Sequence, residues 1–375
     1  MSGKGLPTLL VTGASGNIGK ALVHRLAAQH QGRLNVVYAV HSKPTASTQD
    51  LAALRSRSSA VVELDYDQPA SVAKALEPVR RIDMLFLVPS HAKDRARQAA
   101  TVIDAVRAKG VKLVVLVSLL GCQSRAGLFA SQFRDIEEYI EAIGIPHVFL
   151  RCSPLQHNFL TLLKNFDEPI ATIAMPIGLG GYAPIHVADI AAAAAAVLVD
   201  PEDHAGKTYT LTGPEVLTGV SIAGKASRGL ERPVRFINCT VDEARDAMLR
   251  AGTPEWIRNG FLELYVLIGK GFFATPSPDL AFLTCFKGTS MEEFFRENRA
   301  MFNARVKDSD GTSSSSSSSS KAALATPQLA LEPARDAGTA ALPAASSSSG
   351  HPHRMRLDSP PSAWPRTSFV LHSKL

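Results

Sequence analysis

Leu9-Leu10-Val11-Thr12-Gly13-Ala14-Ser15-Gly16-Asn17-Ile18-Gly19-Lys20-Ala21-Leu22-Val23-His24-Arg25-Leu26 runs from an apolar strand through three glycines into an amphipathic helix. Each glycine has a separate task in that setting. Gly13 takes the tight turn off the strand. Gly16 leaves room for a phosphate to reach backbone N–H groups at the positive end of the helix, and Gly19 lets helix and strand pack closely. A glycine triplet alone is weak evidence, and its plain reading is a turn with no ligand. Placed between strand and helix, Gly13, Ser15, Gly16, Asn17, Ile18 and Gly19 are expected to hold the pyrophosphate of a dinucleotide.

Outward from this loop, short β-branched runs alternate with helical stretches. Strands are expected at Thr8–Val11, Asn35–Val40, Ala60–Leu64, Met84–Val88, Leu113–Val117, His147–Leu150 and Thr208–Leu211. Helices are expected at Asn17–Ala28, Pro69–Leu76, Ala92–Lys109 and Arg134–Ile143. Such alternation implies parallel strands joined by right-handed crossovers. The fold class is therefore α/β: a Rossmann doubly wound parallel sheet, a smaller and mostly helical C-terminal subdomain, and a disordered tail. Residues 1–152 form the Rossmann domain, with 183–213 returning to it. Residues 153–182 and 214–306 form the subdomain for substrate or partner, where Pro254–Gly269 reads as a helix. From 307 to 375 the chain turns to Ser, Ala, Pro and Thr, including the tract Ser313 to Ser320, with too few apolar side chains to offset the entropy of ordering.

The second strand runs into Val40-His41-Ser42-Lys43-Pro44 and offers no carboxylate to ribose hydroxyls. His41, Ser42 and Lys43 suit a 2′-phosphate instead, which favours NADP(H) while leaving NAD(H) open. The plain reading of Lys43 is an exposed loop lysine. Asp65, just past the third strand, is placed to reach the adenine, and Leu87 to Ser90, with Val88 and Pro89, should border the nicotinamide half.

Composition narrows the rest. A formal charge of +6 is spread along the chain without a basic-aromatic run, which argues against nucleic acid. The longest apolar run, Ile190 to Val199, is mostly alanine and too short to span a bilayer. Cys122, Cys152, Cys239 and Cys285 are scattered without metal-ligand spacing, so no metal is expected. Met1 to Leu10 lacks a secretory pattern, so a cytoplasmic start is expected. Ser373-Lys374-Leu375 matches the tripeptide read by the peroxisomal import receptor, making a peroxisomal destination the leading expectation and the cytoplasm the alternative.

Several further blocks carry a family resemblance: Val114-Val115-Leu116-Val117-Ser118-Leu119-Leu120-Gly121, Ile136-Glu137-Glu138-Tyr139, Gly144-Ile145-Pro146, Leu150-Arg151, Pro184-Ile185-His186-Val187-Ala188-Asp189-Ile190-Ala191 and Gly206-Lys207-Thr208-Tyr209-Thr210-Leu211-Thr212-Gly213-Pro214. With the glycine loop, they make residues 8 to 303 resemble the NmrA-like branch of the short-chain dehydrogenase superfamily. That family includes NAD(P)H-dependent quinone and azo-dye reductases, and also regulators that bind the dinucleotide without turnover. The resemblance implies that Ser118 lies near the nicotinamide, where it would hydrogen-bond the acceptor or the carboxamide. It also puts Phe133 where relatives carry an acid-base lysine or histidine.

The Tyr-x-x-x-Lys dyad is absent, since Tyr139 is followed four residues later by Ile143. Arg134 stays protonated and is better suited to orient a substrate than to move a proton. His157 and Asn158 are placed on the far wall of the substrate site, although the plainer reading of His157 is a helix-entry residue with a local hydrogen bond. Cys152 reads as a packed small residue, and Asp189 as a cap for the alanine-rich helix. The resulting expectation is NADPH-dependent reduction of a quinone-like or electrophilic small molecule. The alternative is a non-catalytic sensor of the NADP(H) pool.

Overall fold

The computed structural model describes residues 6–30, 32–41, 60–166 and 168–303. Ser42 and Lys43, the serine tract and Ser373-Lys374-Leu375 lie outside them. In chain order the first elements are β1 (Thr8–Val11), α1 (Asn17–Gln29), β2 (Asn35–His41), β3 (Ala60–Leu64), α2 (Pro69–Ala75), β4 (Met84–Leu87), α3 (Arg95–Arg107), β5 (Leu113–Leu119), α4 (Leu128–Ala142) and β6 (His147–Cys152). Then come α5 (Phe159–Leu162), β7 (Leu163–Lys164), β8 (Ala171–Ala174), β9 (Gly181–Tyr182), α6 (Val187–Val199), β10 (Thr208–Leu211), β11 (Leu217–Thr218), α7 (Gly219–Leu230) and β12 (Val234–Ile237). The helices α8 (Val241–Arg250), α9 (Glu255–Gly269), α10 (Asp279–Thr284) and α11 (Met291–Glu297) follow.

Seven strands form one parallel sheet in the order β10-β6-β5-β4-β1-β2-β3. The chain leaves β1 toward β2 and β3, then returns to place β4 on the other side of β1. That reversal opens a crevice beyond the carboxyl ends of β1 and β4, where ligands of doubly wound sheets bind.

Both faces of the sheet are covered at its centre, so the strands β1, β4 and β5 are almost continuously apolar, and alternate residues serve opposite layers. Leu9 and Val11 pack with Leu22 and Leu26 of α1 and with the alanines of α6. Leu10 faces the other way, toward Val102 and Ile103 of α3 and Ile136 and Ile140 of α4. Alanine at 191 and 193–195 keeps the side chains short where α6 meets α1. A third cluster, with Phe159, Ile173, Tyr265, Phe294 and Phe295, lies around the smaller sheet β12-β8-β7. That sheet joins residues 63 positions apart, such as Ala171 and Val234, through the parallel pair β8 and β12.

Three elements depart from the sequence expectation. Helix α4 begins at Leu128 rather than Arg134, because its first free N–H has a distant acceptor: Leu128 N donates to Glu263 Oε2 at 2.6 Å. Helix α3 is shorter at both ends than Ala92–Lys109. The alanine-rich helix α6 is capped by His186, whose Nδ1 accepts from Ala188 N at 3.1 Å, and not by Asp189. Asp189 instead accepts from the N–H and hydroxyl of Thr289, at 2.8 and 3.0 Å, tying α6 to the segment before α11.

Candidate functional site

The glycine loop sits at the reversal point. Gly13 has φ +61°, a left-handed conformation that suits glycine. Thr12 ties the loop to β4, its hydroxyl accepting from Val88 N at 2.9 Å, and Ala14 N donates to Ala39 O of β2 at 3.2 Å. A Cβ on Gly19 would stand 2.1 Å from Gly13 O, so helix and loop are in direct contact. Ile18 is buried beneath the loop, while Gly16 and Asn17 are exposed and Ser15 half-buried. Gly16 caps α1 with no side-chain hydrogen bond, and there is no acid in the first turn. The donors at this helix end, reinforced by its dipole, fit a pyrophosphate.

On the adenosine side, His41 ends β2 and meets Tyr66 edge-on, ring centres 5.4 Å apart. Tyr66 is buried, and desolvation pushes its phenol up to about 12, offset in part by the Gly13 N–H. Asp65 is engaged locally: it accepts from Asp67 N at 3.1 Å and from Gln68 Nε2 at 3.0 Å, which holds the turn into α2. Val88 and Pro89 border a small crevice that also touches Thr12, Tyr66 and Gln98. This part of the sequence reading is thus brought together at one edge of the sheet.

Ser118 is placed differently from expectation. It is 3% exposed, and its hydroxyl donates to Glu137 Oε1 at 2.7 Å. Arg151 grips the same carboxylate with two hydrogen bonds of 2.9 and 2.7 Å, and Arg134 Nη1 adds a third contact at 3.0 Å. Burial opposes ionisation of Glu137, but the hydrogen bonds from Arg151 and Ser118 outweigh it and hold the carboxyl below its ordinary value. Ser118 therefore anchors the end of β5 to α4, with its proton committed to Glu137. Arg134 is likewise no substrate guide in this geometry, since it pairs with Glu137, Glu138 and Glu141.

Beyond Ser118, Leu119, Leu120 and Gly121 face α9 across a narrow apolar cleft, open to solvent, with Phe129, Leu264 and Phe272 among its walls. Its one ionisable lining residue is Glu263, already bound to the start of α4. Phe133 lies one turn along α4 from Phe129, and its ring stacks on Arg95 with the guanidinium carbon 4.9 Å from the ring centre.

His157 and Asn158 line neither crevice. The His157 ring packs on His186 at 4.9 Å and Phe294 at 5.3 Å. The expected local hydrogen bond is not formed, as Nδ1 is buried without a partner. Desolvation, then the His186 charge, lowers His157 to about 4, so it is neutral at physiological pH. Asn158 serves its own helix, its carbonyl accepting from Thr161 at 3.0 Å. Cys152 is buried, and desolvation drives its thiol far above the ordinary value, which suits packing and opposes reactivity.

Two residues that the sequence reading passed over, Glu137 and Arg95, had a signal. Glu137 falls in phase with Ala130, Ile136 and Ile140 on the buried face of α4. Arg95 opens the stripe of Gln98, Ala99, Val102 and Ile103 on α3. A charge inside an apolar stripe calls for a partner. Among the described residues, no cluster of His, Cys, Asp and Glu is placed to hold a metal, and no helix is long and apolar enough to cross a membrane.

The model of the NmrA-like family matches residues 7–297. The NAD(P)H azoreductase of Xenophilus azovorans is 26% identical over 297 residues, covering 79% of this chain and 99% of the relative. Among solved structures, the NADPH-dependent quinone oxidoreductase of Escherichia coli complexed with NADPH aligns with TM-score 0.67 at 24% identity, over 77% of this chain and 99% of that one. The negative transcriptional regulator NmrA in complex with NADP aligns with TM-score 0.65 at 18% identity, over 82% and 98%.

Proposed function

We propose, from the premise that this chain belongs to the NmrA-like family, that it holds NADP(H) on the loop Gly13–Gly19 and reduces a quinone-like or other electrophilic small molecule. The observation that carries this reading is an uncapped helix end at the strand-order reversal. An apolar cleft lies beyond the end of the neighbouring strand β5. The bound dinucleotide supplies a hydride. The protein's share is to bind, orient and exclude water. With Phe133 at the family's acid-base position, the acceptor must tolerate reduction without a side-chain proton donor. A quinone does: the hydride lost in oxidising NADPH to NADP+ would be taken up by the quinone, and the resulting hydroquinone anion would take its proton from water. The names of the azoreductase and quinone oxidoreductase relatives point to the same kind of acceptor. His41, Ser42 and Lys43, with no carboxylate among them, favour NADP(H) over NAD(H).

A second reading, a non-catalytic sensor of the NADP(H) pool, draws on that same phenylalanine. The two separate on one assay: NADPH consumption by the full chain with a panel of quinones and electrophilic carbonyls. Consumption above the protein-free blank, abolished by Gly16→Asp, is the expected result. Tight NADPH binding with no turnover across the panel would overturn the reductase and leave the sensor.

A further inference from the structure

Among the described residues, Arg95 is a buried cation with no carboxylate partner. It is 5% exposed, and its Nε is buried without a hydrogen-bond partner. The guanidinium carbon lies 5.3 Å from the Phe129 ring centre and 4.9 Å from that of Phe133. The acids nearby in sequence and on α4 are committed elsewhere. Asp94 pairs with Arg97, Asp135 with Arg125, Glu137 with Arg151, and Glu141 with Arg134. Desolvation alone acts on its ionisation, lowering it to about 10, so it remains a cation at neutral pH.

An unpaired buried charge is destabilising, so its position is where a ligand of opposite charge gains most by completing the pair. The location fits a ligand. Arg95 itself lines neither crevice, but Phe129, whose ring it faces, also forms part of the wall of the apolar cleft. His91, close enough to feel the Arg95 charge, meets Trp256 of α9 at 5.5 Å, so the guanidinium lies near the seam between the β4–α3 loop and α9. A guanidinium set beside two phenyl rings and given no protein acceptor keeps its N–H groups for an oxyanion.

We infer that Arg95 is a specificity-determining residue that receives an anionic substituent, a carboxylate, sulfonate or phosphate, carried by a flat acceptor whose ring occupies the cleft beside Phe129. This deepens the proposed function and rests on it for the identity of the ring. The charged group is recognised by Arg95, while the hydride acceptor itself remains uncharged.

The test uses two probes alike in ring and size, anthraquinone-2-sulfonate and 2-(hydroxymethyl)anthraquinone, titrated calorimetrically into the NADP-loaded full chain. The wild type should prefer the sulfonate. Arg95→Met, which keeps the stem and removes the charge, should collapse that preference by roughly tenfold to a hundredfold, the range for a hydrogen bond to a charged group. It should also melt no lower than the wild type, because it removes an uncompensated buried charge. Arg95→Lys keeps the charge and should retain part of the preference, which leaves the proposal testable if the Met variant misfolds. An unchanged ratio in both variants, or a wild type without preference, would overturn the inference and leave Arg95 as a packing residue satisfied by water. Selective sulfonate binding without NADPH consumption would count against the reductase reading and not against Arg95.

Discussion

The loop after β1 and the aromatic cluster around Arg95 are built from different materials. In the loop, the recognising groups are backbone N–H donors at the end of α1, fixed by Gly13, Gly16 and Gly19 within seven residues. In the cluster they are side chains, brought together from α3, α4 and α9. A backbone cradle accepts one invariant ligand part and tolerates little change. A side-chain wall can vary its chemistry without disturbing the sheet, and that is where acceptor choice belongs.

The largest effect should come from breaking the backbone cradle. Gly19→Ala puts a methyl 2.1 Å from Gly13 O and 2.8 Å from Ala14 Cα, both immovable backbone, and should destabilise the protein by about 3 to 5 kcal/mol in denaturant titration, with dinucleotide binding lost. Next is the pairing under the end of β5. Glu137→Gln leaves Arg151 without its carboxylate and should destabilise by about 3 kcal/mol. Because the folded carboxyl is held below 4.5, its stabilisation is complete above that pH and is lost as the pH falls through the depressed value. Acid titration of wild type against Glu137→Gln should show the two curves converging there.

His157 works in a higher window. Its folded value is lowered from 6.5 to about 4, so its contribution is complete above pH 6.5 and shrinks as the pH falls toward 4, at about 1.4 kcal/mol per pH unit. His157→Leu should flatten that part of the stability profile, and an unchanged slope would show that the ring already titrates freely. The smallest stability effect belongs to the aromatic wall. A Cβ on Gly260 would meet the tip of the Phe129 ring at 2.5 Å, and the ring can swing aside. Gly260→Ala should leave stability within about 1 kcal/mol, the helix gaining intrinsic propensity, while raising KM for the acceptor severalfold. A large loss of stability with KM unchanged would show that Phe129 is a core residue rather than a wall.

The same contrast explains what was legible in the sequence. β1 was expected and found at Thr8–Val11, and the loop and α1 follow it directly, because every determinant is local: apolar run, glycine spacing, helical stripe. The parallel sense of the sheet follows from strand-helix alternation. What escaped depends on distant partners. The start of α4 is set by Glu263, 135 residues away, and Asp189 finds its donors on Thr289, 100 residues away. Strands β7, β9 and β11 have two residues each, too few to show a period. Ser118 lies near the end of strand β5 with its hydroxyl turned to Glu137, and only the packing of α4 on β5 and β6 reveals that carboxylate. Arg95 carries a signal in its helical phase, but the two phenyl rings it packs against belong to another helix.

The most direct test of the account is a calorimetric titration of NADPH and NADH into the full chain and into Gly16→Asp, which sets a carboxylate at the uncapped end of α1. The account predicts that NADPH binds the wild type more tightly than NADH and that neither binds Gly16→Asp, at unchanged melting temperature. Undiminished binding to Gly16→Asp, or no binding to the wild type, would contradict the assignment of the glycine loop as the dinucleotide cradle.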